Sequence, residues 1–597
     1  MTHSNNIKVT GIFLFITGFI IYLSVFFLAS YKLTNNILSE YVYEQEQGDM
    51  LAEELSGSIS KTYSTSFGFV KSISSGFRSV NELQLVRYEI NDSEIDQMIS
   101  KTIDYQFDIA VLEQVFNPDI PLQSFKIQSF KDYGSWLDNR TYQDEVSLRN
   151  DLKSVAGNIS KYEIVKKKGF DRYRIKDLKY SLAKASSQGP IRNNSGLFLL
   201  LSFGLCIAGA IIFFAPGMKD IQGIKNNSIF RSSMTNGGWM GIMTGTFLIL
   251  FYILLYYYPE HMTNWIIMVD PLSQVIKGSE AGRFFLYGFM YTLTILVMGV
   301  RMLIKYRGNR YQQFRTVSVM FFQTAFAFLI PEILIRLNKP YFDFKNIWPL
   351  DYDFFFDNEL NTLVESGSLG IFMLGWGIAL VLIAVPVMVY FFGKRWYCSW
   401  VCGCGGLAET LGDPYRQLSS KRLSSWKIER WMIHGVLVFA ILMTAGVLYT
   451  YWTGNSQLLG INTYSVREVY GFWIGAAFAG VVGTGFYPLM GNRVWCRFGC
   501  PLAAYLGIVQ RFKSRFRITT NGGQCISCGN CSTYCEMGID VRWYAQRGQN
   551  IVRSSCVGCG ICSAVCPRGV LKLENGPETG RFGTPELIGQ DSFKIEN

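Results

Sequence analysis

CISCGNCSTYCEMGIDVRWYAQRGQNIVRSSCVGCGICSAVCP, residues 525–567, carries two runs of cysteine at one spacing. Cys525, Cys528, Cys531 and Cys535 read C-x2-C-x2-C-x3-C; Cys556, Cys559, Cys562 and Cys566, followed by Pro567, read C-x2-C-x2-C-x3-C-P. The first three thiolates of such a run wrap one face of an iron–sulfur cube, and the fourth ligates the other cube. The spacing therefore predicts one [4Fe–4S] cluster on Cys525, Cys528, Cys531 and Cys566, and a second on Cys556, Cys559, Cys562 and Cys535. Structural zinc sites and disulfide frameworks do not call for tripled spacing with a closing Cys-Pro. A small α+β two-cluster ferredoxin-like domain is expected over 513–575. The first run ends Cys535-Glu536 where Cys-Pro is usual, which changes the backbone at that ligand and leaves the sulfur count intact.

Upstream of this stretch the apolar residues come in long blocks, and 49% of the 597 residues are hydrophobic. That distribution predicts a mainly α, polytopic helical membrane protein. Spans are expected at 11–30, 196–216, 239–258, 283–304, 315–335, 369–393, 428–450 and 471–490, about eight in all. The first lacks a small-residue cleavage site after Tyr31-Lys32-Leu33, so 1–31 reads as a retained anchor. Basic loops follow alternate spans: Lys219, Lys225 and Arg231; Lys305, Arg307, Arg310 and Arg315; Lys394, Arg395, Lys421, Arg422 and Lys427; Arg511, Lys513, Arg515 and Arg517. By the positive-inside rule both termini are cytoplasmic in a bacterial inner membrane, and 32–195 is an extracytoplasmic soluble domain. The net charge of +11 sits largely beside the apolar blocks and is read as topology signal and lipid contact, not as a nucleic-acid footprint.

The outer domain opens with a helix-like stretch at 37–58, and its later Tyr-, Phe- and Ser-rich segments are expected as strands. It holds no Cys and no His, so neither a c-type haem nor a thiolate metal site is built within it. The tail 576–597 is polar and expected to be disordered.

Within the membrane region 196–512 a repeat carries more sulfur. Gly393-Lys-Arg395-Trp-Tyr397-Cys398-Ser-Trp-Val-Cys402 and Gly491-Asn-Arg493-Val-Trp495-Cys496-Arg-Phe-Gly-Cys500 both read G-x-R-x-aromatic-C-x3-C. Cysteines at i and i+4 share a helical face, so each stretch is expected to present two sulfurs to one spot at the cytoplasmic membrane boundary. Candidates for Cys398, Cys402, Cys496 and Cys500 are an additional iron–sulfur centre, transient copper, or a dithiol–disulfide cycle. Cys404 reads as a bystander or substitute ligand, and Cys206 as packing.

With eight spans, paired C-x3-C motifs and a terminal two-cluster module, residues 196–575 resemble the membrane polyferredoxin family associated with periplasmic nitrate reductase, nitrous-oxide reductase and copper-oxidase assembly. In that family the membrane motif is C-x3-C-P twice; here Cys500-Pro501 fits and Cys402 is followed by Gly403. The nitrous-oxide-reductase member carries a covalent flavin on a Ser/Thr-Gly-Ala-Thr motif in its outer domain, and no such tetrapeptide occurs here.

The resemblance implies a membrane-bound iron–sulfur electron-transfer component, relaying electrons between a quinone or cytoplasmic donor and a respiratory redox partner. The alternatives are an assembly factor that reduces copper at the membrane cysteines, and a redox-sensing regulator. His3, His261 and His434 cannot pair at one depth, so no bis-His intramembrane haem is expected. Glu332 and Arg336 are read as either a quinone-site candidate or an i, i+4 ion pair, and the acidic, aromatic outer loop 341–365 as an interfacial anchor.

Overall fold

The computed structural model describes residues 2–219 and 238–575; Lys225, Arg231 and the tail lie outside them. The chain divides into two compact units: residues 1–22, 196–258 and 269–597, and residues 23–195 with 259–268.

The second unit is helical where strands were expected. Ser66–Tyr88 buries Phe69, Val70, Ile73, Phe77, Val80 and Gln84, a three-and-four spacing that outweighs the β preference of its Phe, Val and Ser. Side-chain caps start the helices at Thr65, Asn91, Asp144 and Asp171, with Asn91 and Glu94 forming a reciprocal capping box. The strands are two or three residues long; Tyr31 pairs with Tyr63 on one side and Ser187 on the other. His261 is accounted for here, stacked on Phe67 at 4.3 Å with Nδ1 3.1 Å from the Ser66 hydroxyl. Pro259–Met268, between the third and fourth spans, belongs to this unit.

Among the described residues seven helices are long and apolar enough to cross a membrane, from Asn5–Val25 to Leu423–Thr453. The expected eighth, 471–490, is helical but broken: a π-helix Gly471–Val482, then Gly483–Gly485 and Tyr487–Met490. Glycine dilutes its apolar character, and Gly480, Gly483 and Gly485 sit where a Cβ would strike Tyr252, Trp495 and Ile249. The first two spans cross tightly: a Cβ on Gly11 would lie 2.7 Å from the Gly209 carbonyl, and one on Gly18 2.6 Å from that of Ser202. Small residues seven apart on both helices permit that approach.

After the last break, helix Pro501–Lys513 leads into strand Phe516–Thr520, which pairs antiparallel with Leu571–Asn575 across the whole cysteine stretch (Phe516 opposite Asn575, Thr520 opposite Leu571). Within that hairpin, Asn530–Thr533 and Ile561–Ala564 are matching short helices, each entered through a left-handed glycine, Gly529 (φ 79°) and Gly560 (φ 73°). The membrane helices and the 513–575 segment belong to one compact unit.

Candidate iron–sulfur centres

Cys525, Cys528, Cys531 and Cys566 line one cavity, together with Ile526, Pro567 and Val570. Cys566 comes from the second run, brought across by the strand pairing. Around the other set, Cys562 feels the sulfurs of Cys559, Cys556 and Cys535. The backbone N–H of Ile539 donates to Cys535 Sγ at 3.4 Å. Among the described residues no three His, Cys, Asp or Glu side chains converge on one metal ion. Four sulfurs around a cavity rather than a point suit a polynuclear cube. Burial pushes the Cys531 and Cys556 thiols up to about 11, so as bare thiols they stay protonated; bound cationic iron would stabilise their thiolates there.

The two sets differ in setting. Cys528 is exposed. The Cys556–Cys559 loop is clasped by side chains of the membrane region: Tyr311 Oη donates to Gly558 O at 2.7 Å, Gln312 Nε2 and Arg315 Nη1 to Cys559 O at 2.9 and 2.7 Å, Ser399 Oγ to Val557 O at 2.8 Å, and Gln510 Nε2 to Cys556 O at 2.9 Å. Glu536, the departure from Cys-Pro, is fully buried, accepting from Arg416 Nη1 at 2.6 Å and pairing with Arg493 Nη2 at 3.0 Å.

The membrane repeat does not form the continuous helical face expected of i, i+4 cysteines. Cys398 ends helix Arg395–Cys398, while Cys402 is the N-cap of Gly403–Thr410. In the second copy Cys496 lies in the π-helix Trp495–Gly499 and Cys500 caps Pro501–Lys513, its sulfur accepting from Ala503 N at 3.4 Å. Each copy enters through a positive-φ glycine (Gly393 68°, Gly491 93°) and bends in the same way, Cys402 N bonding Tyr397 O and Cys500 N bonding Trp495 O. Placing the second cysteine at a helix N-terminus gives its sulfur backbone N–H groups and the favourable end of the dipole.

All four sulfurs are buried and within electrostatic reach of one another, and Cys404 joins them. Cys404, read from the sequence as a bystander or substitute ligand, lies beside the four although it falls outside the repeat. It donates a hydrogen bond to Cys402, which with the Gly405 N–H and Lys345 outweighs burial and holds Cys402 down to about 6, while Cys404 itself is pushed up. At Gly403 a Cβ would lie 2.5 Å from Gln323 Oε1, so a larger residue there would displace the end of the Gln323 side chain. Tyr397 Oη is buried beside Cys402, Cys404 and Cys500 without a hydrogen-bond partner among the described residues, an orphan donor that a cluster's sulfur would satisfy.

Part of the loop 341–365 packs inside the first unit. Ile347 packs in the same core as Cys398 and Cys402, Trp348 Nε1 donates to Thr444 Oγ1 at 3.1 Å, and Lys345 pairs with Asp343 at 3.1 Å. Burial works against the Lys345 ammonium, but Asp343 and the Cys402 sulfur outweigh it. Glu332 and Arg336 do not pair: Arg336 donates to Val275 O, and Glu332 Oε2 is buried without a hydrogen-bond partner among the described residues. His434 lies in the span Leu423–Thr453.

Comparison with known proteins adds two domain types. Residues 524–571 match the family described as "4Fe-4S dicluster domain", and residues 374–425 and 471–519 match "4Fe-4S binding domain", once for each copy of the repeat. The chain is 26% identical over 171 residues to the Escherichia coli (strain K12) protein named "Putative electron transport protein YccM", covering 27% of this chain and 47% of that protein. It is 26% identical over 156 residues to the "Methylamine utilization ferredoxin-type protein MauN" of Methylobacillus flagellatus, covering 26% of this chain and 52% of that one. The chain thus spans about half the length of the curated relatives it matches. No solved structure matches. The chain is thus similar to membrane polyferredoxin-like proteins, with helices long and apolar enough to cross a membrane and a C-terminal module of the type that holds two [4Fe–4S] clusters.

Proposed function

We propose that this membrane polyferredoxin-like protein relays single electrons at the cytoplasmic face of a bacterial inner membrane. They pass from a cytoplasmic or quinone-linked donor, through the two clusters, to a third redox centre on Cys398, Cys402, Cys496 and Cys500, on behalf of a respiratory redox partner. The observation that carries this reading is graded burial inside one compact unit: Cys528 is exposed, the Cys556–Cys559 loop is gripped by membrane-region side chains, and the repeat cysteines are fully enclosed. In this reading Cys525, Cys528, Cys531 and Cys566 hold the outer cluster and Cys556, Cys559, Cys562 and Cys535 the inner one. The clusters supply one-electron chemistry when bound. The chain's own part is to fix spacing and surroundings: Tyr311, Gln312 and Arg315 hold the inner ligand loop, and Arg315 and Arg493 place positive charge between the inner ligands and the repeat. Both termini are cytoplasmic, with 1–31 the anchor, 32–195 extracytoplasmic, 196–512 the membrane region and 513–575 the cluster domain.

Protein reconstituted anaerobically should hold about eight non-haem irons from the two cubes, and more from the third centre. Replacing Cys398, Cys402, Cys496 and Cys500 together with Ser should remove only the excess; equal iron in both proteins would reject the third centre. A second reading, copper reduction at the repeat, is favoured by four soft sulfur donors buried together, Cys398, Cys402, Cys496 and Cys500. Metal analysis of the same pair separates the two, since copper that vanishes with the four cysteines favours it over a relay. Where the third centre is present, Lys345→Met should lower its midpoint potential, because the reduced centre loses a nearby cation. Redox titration should find the two ferredoxin-type clusters unmoved.

A further inference from the structure

We propose that the surface around Cys528 is the docking face for a small acidic single-electron carrier protein. The inference rests on the relay reading and names its donor. The cavity lined by the first cysteine set is flanked by Arg542 and Arg568. Both are exposed, as is Arg547, and among the described residues none of the three makes an ion pair. No carboxylate among the described residues of 521–575 is exposed: Glu536 is buried, Asp540 accepts from the Ser532 hydroxyl, and Glu574 accepts from Thr519.

Two apolar side chains are left in solvent beside these arginines, Ile526 in the cavity lining at 54% exposure and Trp543, next in the chain to Arg542, at 42%, with the Arg547 guanidinium 4.0 Å over the Trp543 ring. An apolar centre with a single-sign rim is the form of a transient protein interface steered by charge. The sign selects an acidic partner. Its position over an exposed ligand selects one that exchanges electrons, which lipid and nucleic acid do not, and the relay reading makes that carrier the donor. In a flavodoxin-type carrier, one electron leaves the flavin hydroquinone, which becomes the semiquinone, and enters the cluster; no bond is exchanged.

The test uses the full-length, cluster-loaded protein in phosphatidylcholine nanodiscs, with a reduced acidic flavodoxin as donor and methyl viologen radical as a small reductant. For R542E/R568E the flavodoxin rate at low salt should fall at least about tenfold, Kd should weaken by a similar factor, and the salt dependence of the wild-type rate should flatten. R542K/R568K should keep the wild-type rate, and viologen reduction should not slow in either variant. Equal flavodoxin rates and Kd in wild type and R542E/R568E, with viologen reduction normal, would overturn the docking face alone. The docking face also falls if the charge reversal abolishes only association with anionic vesicles. Failure of viologen to reduce any cluster in the wild type would overturn the relay reading itself, and the docking face with it.

Discussion

Replacing Cys535 and Cys566 together with Ser should remove half or more of the iron bound by the C-terminal module, and the two single replacements should strike opposite clusters. Cys566 follows Cys562 in the chain, yet it lines the cavity of Cys525, Cys528 and Cys531; Cys535 follows Cys531, yet its charge is felt by Cys556 and Cys562. Cys566→Ser should therefore lose the exposed cluster and Cys535→Ser the enclosed one. The two are distinguishable, because the enclosed cluster is shielded by Tyr311, Ser399 and Gln510 and should outlast the exposed one under a soluble iron chelator. Iron analysis with EPR of the dithionite-reduced singles checks this. Loss of the enclosed signal in Cys566→Ser would show uncrossed ligation, and unchanged iron in the double replacement would reject both residues as ligands.

The cysteine stretch was legible because ligand spacing is local: three thiolates on one short turn must meet one cube wherever the hairpin is placed. The apolar blocks were legible for a similar reason, since a span must satisfy its backbone within itself. Two things were not. The register of the membrane repeat depends on breaks after Cys398 and before Cys500, which no periodicity announces and which turn an expected helical face into two helix N-termini. Pairings across long sequence separation were equally hidden. Lys345, in an outer loop, has its charge balanced partly by Cys402, and Cys404 bonds Cys402 from outside the motif. The outer domain failed differently, because Ser66–Tyr88 is rich in residues favoured in strands and only its burial spacing reveals a helix.

Glu536→Ala should detach the cluster domain from its seat at a cost of about 3–5 kcal/mol, the scale for removing one partner from a buried ion pair. Glu536 is wholly buried and joined to Arg416, Arg493 and Asn492. Arg493 also pairs with Glu409, which pairs with Arg315 at 2.8 Å; Arg416 also pairs with Asp413, which takes Lys305 at 2.8 Å and Arg301 at 3.0 Å. Three carboxylates thus neutralise part of the charge of five cations, so deleting one carboxylate leaves an already positive interior more so. Burial raises the Glu536 carboxyl, yet Arg493 and Arg416 overcome it and hold the group down to about 2, so it is the anion that is lost. Glu536→Pro, which gives the first run the usual Cys-Pro ending, should fail in the same way, showing that this chain has exchanged a backbone feature for an attachment. The readouts are protease sensitivity of 513–575 in the cluster-loaded protein, and its partial recovery when Arg416→Met is added to Glu536→Ala, since the pair then leaves fewer charges unmatched. Wild-type protection in Glu536→Ala would mean that hydrogen bonds to the Cys556–Cys559 loop hold the domain unaided, and lost protection with no recovery in the double variant would mean that unmatched charge is not what detaches it.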